Sequence, residues 1–148
     1  MTPRVYLDAN VFIAAFENPG AHGDHAWNIF HSVEQHEVVA VTSELTLSEI
    51  LVKPIERGAG ELVVAYDRII SPEGNFEVLP VSRDVLVAAA HLRAAYRSLR
   101  LPDAVHLASA QKAACRYFIT EDERLTMPDG LTRLPVNPFT VDDIVRGS

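Results

Sequence analysis

Short apolar segments alternate with helix-like segments along the whole chain, and this alternation limits the fold more than any other feature. Residues 4–7, Arg4-Val5-Tyr6-Leu7, are rich in β-formers and stop at Asp8. Further strands are expected at 37–41, 76–81 and 116–120, with a fifth candidate at 131–136. Helices are expected between them, at 10–16, 24–35, 61–70, 84–98 and 140–145. In the second of these, Trp27, Ile29, Phe30 and Val33 fall at helical spacing. In the long one, Val85, Leu86, Ala89, Leu92, Ala95 and Tyr96 form the apolar side. Ser43 suits an N-cap, with Glu44 in the first turn of a helix expected to stop near 53, before Pro54. Pro102 suits the first position of another helix, which carries Ala104, Val105, Leu107, Ala108 and Ala114. Asn18-Pro19-Gly20 and Ser71-Pro72-Glu73-Gly74 act as breakers. Strands separated by helices pair in parallel. The expected fold is therefore α/β, a three-layer α/β/α sandwich with a mostly parallel four- or five-stranded central sheet. With no repeat, low-complexity stretch or linker, one domain over 1–148 is expected.

In open parallel sheets, ligands bind beyond the carboxyl ends of the strands. Asp8 follows the first expected strand directly, and Asp122 lies two residues beyond the fourth. Asp103 falls in the first turn of its helix and Glu49 within the helix after the second strand. Each acid also has a purely structural reading. Asp8 fits a helix N-cap. Glu49 fits an i, i+4 pair with Lys53. Asp103 fits a first-turn acid that complements the helix dipole. Asp122 sits in the acidic trio Glu121-Asp122-Glu123, as solvated loops often do.

The local sequence around each acid adds a second line. Leu7-Asp8-Ala9-Asn10-Val11-Phe12-Ile13 resembles the opening motif of the PIN-domain family. The stretch 42–52, with Ser48-Glu49-Ile50 at its centre, resembles its second motif, and Leu101-Pro102-Asp103-Ala104-Val105-His106-Leu107-Ala108 its third. Phe118-Ile119-Thr120-Glu121-Asp122-Glu123-Arg124-Leu125 resembles the fourth. All four stand in family order across nearly the whole chain, which in length is similar to the VapC-type toxins of that family. The resemblance implies a PIN-like fold and a Mg²⁺- or Mn²⁺-dependent endoribonuclease that leaves 5′-phosphate and 3′-hydroxyl ends. It carries the family's acids over to Asp8, Glu49, Asp103 and Asp122, with Thr120 at its hydroxyl position and Asn10 at its small polar position. Of the two acids in the second motif, Glu49 takes the role and Glu44 is a first-turn residue. An RNA substrate, a VapB-type antitoxin and a homodimer are implied as partners. Physics points the same way on the cofactor. Two carboxylates about 4 Å apart repel by about 4 kcal/mol at an effective dielectric of 20. Four acids brought together therefore need protons or a cation, and oxygen-only ligands suit Mg²⁺ or Mn²⁺.

Two other classes compete with this reading. A haloacid-dehalogenase-type phosphatase also places an aspartate after its first strand, but Asn10 stands where its second aspartate belongs and no Gly-Thr follows. A catalytically silent PIN-like binding module is opposed by the presence of all four acids.

The remaining signals are weaker. The formal net charge of −7 argues against a protein whose task is to coat nucleic acid. A single cysteine, Cys115, allows neither an internal disulfide nor a four-cysteine zinc site. No apolar run approaches a membrane span, and no charged-then-apolar leader precedes the first strand, so a cytoplasmic protein is expected. His22-Gly23-Asp24-His25 reads as a polar turn rather than a metal site. His106, three residues after Asp103, reads as a satisfied structural histidine near the site. Arg93, Arg97 and Arg100 form a basic edge, either a solvated face or a contact for phosphate or an acidic partner. Phe12, Phe16, Trp27 and Phe30 read as core, with a groove for an antitoxin as the other reading. Gly58-Ala59-Gly60 lacks the rest of a phosphate loop, and no Gly-x-Ser-x-Gly element is present.

Overall fold

A computed structural model describes residues 1–147. Ser148, the last residue of the expected domain, lies outside the described residues. Among the described residues, five strands form one sheet: β1 (Arg4–Leu7), β2 (Val39–Ser43), β3 (Glu77–Leu79), β4 (Tyr117–Ile119) and β5 (Thr132–Leu134). All pairings are parallel and the order is β3-β2-β1-β4-β5. From β1 the chain adds strands outward on one side as far as β3. It then crosses back and adds β4 and β5 on the other. The reversal leaves a crevice at the carboxyl ends of β1 and β4, where open α/β sheets bind their ligands.

Among the described residues, seven helices cover the sheet: α1 (Ala9–Glu17), α2 (Ala21–Glu34), α3 (Glu44–Glu56), α4 (Gly60–Ile69), α5 (Arg83–Ala95), α6 (Leu101–Lys112) and α7 (Thr140–Arg146). The two-residue period of the strands sorts the core into layers. Val5, Leu7, Ala40, Tyr117 and Ile119 pack with Phe12, Ile29, Ile50, Tyr66 and Ile144, so α1 to α4 and α7 cover one face. Tyr6, Val41 and Phe118 point the other way, against Leu107 and Ala110 of α6 and Leu92 of α5. Tyr6 and Phe118 stack at 5.0 Å between ring centroids. Each large side chain so buried contributes roughly 1.5–3 kcal/mol. The expected α/β/α sandwich with a mostly parallel sheet of four or five strands is observed, with five strands and every pairing parallel.

Several boundaries differ from expectation, each for a local reason. α2 begins at Ala21 rather than 24, directly after Gly20 at φ 109°. Gly23 lies inside it with its backbone against α1: a Cβ there would fall 2.0 Å from the Asn18 carbonyl oxygen. The expected polar turn at 22–25 is thus a close helix contact. α3 runs through Pro54 to Glu56, although a stop was expected before it. Proline removes one backbone donor, a small loss in a last turn, and its ring is buried there. The Arg57 N–H still reaches the Lys53 carbonyl. α5 stops at Ala95 rather than 98, because Tyr96 leaves helical geometry at φ −124° and Leu99 turns into the core. Pro102 is the second residue of α6, not the first.

Candidate active site

Asp8 meets the solvent where β1 gives way to α1. Its extended backbone makes it the N-cap, and its Oδ1 accepts the Asn10 N–H at 2.9 Å. Oδ2 accepts the Thr120 hydroxyl at 2.5 Å. Thr120 follows β4 and is fully buried, so the bond ties the two strands that flank the crevice. The same Thr120 oxygen accepts the Asp122 N–H at 3.1 Å, which turns the chain so that Asp122 stands above the strand ends. Asp122 then closes its own turn, with Oδ1 accepting the Arg124 N–H at 3.0 Å. The expected N-cap role of Asp8 is thus observed, and it uses one oxygen of the carboxylate.

Asp103 sits in the first turn of α6 and Glu49 on α3, on opposite sides of the crevice. Glu49 is paired with His106, at 2.7 Å from Oε1 to Nε2, rather than with Lys53 as its structural reading had it. Glu44, by contrast, does lie in the first turn of α3, whose N-cap is Ser43. All four acids expected from the sequence, with Asn10 and Thr120, line one cavity of about 230 Å³. His106, Phe118 and Leu125 complete much of the wall.

The electrostatics reflect crowding. Burial pushes the Asp8 carboxyl above its ordinary range, with Glu49 adding to the rise. The Thr120 and Asn10 hydrogen bonds oppose it. Asp103 is likewise raised, by burial and then by Asp122 and Glu49, while His106 and Arg100 pull the other way. Asp8 thus feels Glu49, and Asp103 feels Asp122 and Glu49. Among the described residues, no three His, Cys, Asp or Glu side chains stand close enough to hold a metal ion as they are. The donor set itself, four carboxylates lining one small cavity, fits a hard divalent cation.

A second cavity of about 570 Å³ opens beside the first and shares Asp103, Asp122 and Leu125 with it. Arg100 and Arg124 stand on its walls with Ser98 and Thr126. Arg124 is almost fully exposed. The Asp122 turn, which takes the Arg124 N–H, sets its position. Of the expected basic edge, Arg100 reaches this cavity, and Arg93 donates instead to the Leu99 carbonyl. Glu121 turns away from the cavity to accept the Val136 N–H, so the acidic trio is not a uniformly solvated loop.

The early aromatics are mostly core. Phe12 and Phe30 are buried, whereas Trp27 is 43% exposed and donates its indole N–H to the Ala15 carbonyl. Trp27 and Phe30 also line an apolar cavity of about 390 Å³ between α2 and α4, with Ile69 and Phe76.

Comparison with known proteins follows the same lines. No curated protein sequence matches the chain. A toxin–antitoxin complex from Klebsiella pneumoniae superposes with a TM-score of 0.64 at 22% identity, over 86% of this chain and 95% of that one. VapC20 of Mycobacterium tuberculosis, described as a sarcin–ricin loop cleaving toxin, gives 0.66 at 20% identity, over 82% and 92%. DNA-bound VapBC from Salmonella typhimurium gives 0.68 at 18% identity, over 90% and 98%. At these identities the likeness is one of fold. Residues 5–131 match the PIN domain, from the second residue of β1 to the edge of β5, so the chain belongs to the PIN-domain family.

Proposed function

We propose that this protein is a Mg²⁺- or Mn²⁺-dependent endoribonuclease and the toxin of a VapC-type toxin–antitoxin pair. The observation that carries the reading is the convergence of Asp8, Glu49, Asp103 and Asp122 on one cavity at the reversal point of the sheet. Family membership and the toxin–antitoxin neighbours support it. The four carboxylates would hold the cation. When bound, it supplies an activated water and neutralises charge on the phosphate and the leaving oxygen of a hydrolysed phosphodiester. Thr120 and Asn10 hold both oxygens of Asp8 in place, which keeps that ligand aimed into the cavity. Arg100 and Arg124 offer the neighbouring phosphates of a single strand two cationic contacts beside the acids. The products are 5′-phosphate and 3′-hydroxyl ends.

The test is RNA cleavage by wild type with Mg²⁺ or Mn²⁺, by wild type in EDTA, and by Asp103→Asn. Cleavage only in the first case is expected. Equal cleavage in EDTA would overturn the metal mechanism. Absence of both cleavage and metal binding in calorimetry would leave a silent PIN-like binding module.

The partner side of the proposal is an antitoxin of the VapB type and a second copy of the chain, with the cytoplasm as setting. No helix among the described residues is long and apolar enough to cross a membrane. Co-expression with a VapB-type antitoxin should yield a complex, and light scattering should show more than a monomer. Trp27 is the chain's single tryptophan and lines the apolar cavity, so its emission should shift when an antitoxin segment seats there.

A further inference from the structure

His106 lies one turn beyond Asp103 on α6, and only 6% of its side chain is exposed. Both ring nitrogens are engaged. Nδ1 stands 2.6 Å from the Tyr6 hydroxyl, and Nε2 2.7 Å from Glu49 Oε1. An ionised carboxylate can only accept, so Nε2 carries the hydrogen and donates to Glu49. Tyr6 is fully buried in the middle of β1, two residues before Asp8, and burial holds its phenol protonated. Its hydroxyl therefore donates to Nδ1, which sets the ring's orientation. The Tyr6 and His106 rings meet edge-on at 5.7 Å between centroids, and Tyr6 is itself pinned by stacking on Phe118. Behind Tyr6, the Thr42 hydroxyl donates to the Leu7 carbonyl at 2.9 Å and stands 2.8 Å from the Thr46 hydroxyl. The chain of contacts runs from the core of the sheet outward and ends on the one candidate ligand that has the most freedom. Glu49 has a three-torsion side chain, 35% exposed. Free, it would sample several rotamers beside three other acids that repel it.

We propose that His106, clamped by Tyr6, is a positioning residue that fixes Glu49 at the edge of the acidic cavity, with one carboxylate oxygen held by the imidazole and the other left for a divalent cation. This rests on the proposed assignment of Glu49 as a metal ligand. A hydrogen-bonded partner behind a ligating carboxylate or histidine typically accounts for ~10–100-fold in metal affinity or activity. A histidine that served packing alone would need only to be filled and satisfied. Its loss would lower stability and leave cation affinity unchanged.

The two amides separate these roles, since an Asn side-chain nitrogen falls near Nδ1 of a histidine and that of Gln near Nε2. Mn²⁺ affinity, read as free Mn²⁺ by electron paramagnetic resonance, is compared for wild type, His106→Asn, His106→Gln and Tyr6→Phe, with thermal melts as the control on folding. His106→Asn is expected to weaken Mn²⁺ binding by about tenfold or more, and His106→Gln to recover most of that loss. Tyr6→Phe keeps the stacked ring and should weaken binding by a smaller factor. In a Glu49→Gln background, His106→Asn should cost little more, because it acts through Glu49. Folded His106→Asn with wild-type Mn²⁺ affinity would overturn the proposal, as would His106→Gln no better than Asn, or full additivity with Glu49→Gln. Should all replacements at 106 unfold, Tyr6→Phe with unchanged affinity overturns it alone. A wild type that binds no Mn²⁺ would instead bring down the nuclease reading on which this one stands.

Discussion

The Thr120 hydroxyl donates to Asp8 Oδ2 at 2.5 Å across the junction of β4 and β1. It joins residues 112 positions apart and also receives the Asp122 N–H. Thr120→Val keeps the shape and removes both bonds. A hydrogen bond to a charged group contributes about 1.5–3 kcal/mol, so urea unfolding of the metal-free variant should show a loss of that order. Thr120→Ser should restore most of it. A Val variant as stable as wild type, with unchanged RNA cleavage, would show that the bond orients nothing.

Asp8 and Asp103 have folded-state pKa values above their ordinary range, chiefly from burial. A raised carboxyl pKa means that the folded state binds protons more readily than the unfolded one. Their contribution to stability is therefore fully present below the unfolded value and is lost as pH rises through the raised folded value. Glu17 works in the opposite sense. Burial would raise it, but hydrogen bonds from Tyr66 and Arg57 outweigh that and hold it low, so its contribution is lost as pH falls. The clean readout is the difference between wild type and Asp103→Asn. Without metal, the Asn variant should melt at an equal or higher temperature near neutral pH, and the gap should close toward acid. It should also gain less from Mn²⁺. A variant that melts lower at neutral pH, with a gap that widens there, would contradict the crowding of acids.

Gly23 carries a prediction that involves no chemistry. Its missing side chain lets α2 rest on the carbonyls of Asn18 and Ala14, which a Cβ would meet at 2.0 and 3.0 Å. Gly23→Ala, normally favourable inside a helix, should here destabilise by about 1–3 kcal/mol through overpacking. A melt at or above the wild-type temperature would mean that the helices separate freely.

Arg100 and Arg124 should act on RNA through charge alone. Replacing either by Ala in the Asp103→Asn background permits binding without turnover. The slope of log affinity against log salt should then fall by about 0.7 for each RNA phosphate left without its arginine, as for single strands. The weakening should be similar across RNA sequences. An unchanged slope for both would place the strand elsewhere.

Strands and helices were legible because their signals are local. The apolar run 4–7, the Ser43 cap and the Asn18-Pro19-Gly20 breaker each act over a few residues, and all stand in the structure near where they were expected. Where a local rule failed, packing outweighed it. Pro54 stays inside α3 because its ring is buried and only one late backbone bond is missing. Gly23 sits in a helix rather than a turn because its bare backbone is what α1 packs against.

The acids divide along the same line. Sequence alone placed Asp8 after a strand, Asp103 in a first helical turn and Asp122 in a short loop, and motif resemblance joined them to Glu49. It did not determine which partner each would take. Glu49 had Lys53 one turn away and bonds instead to His106, 57 residues on; His106 in turn meets Tyr6 across 100 positions. Nothing in local spacing encodes such pairs. They arise because the strand order β3-β2-β1-β4-β5 sets β1 beside β4, so that α3 and α6 face each other across the carboxyl ends of the sheet. Periodicity and caps work over one or two turns of chain, whereas the choice among distant polar partners belongs to the packed sheet, which desolvates them together and leaves each no better partner.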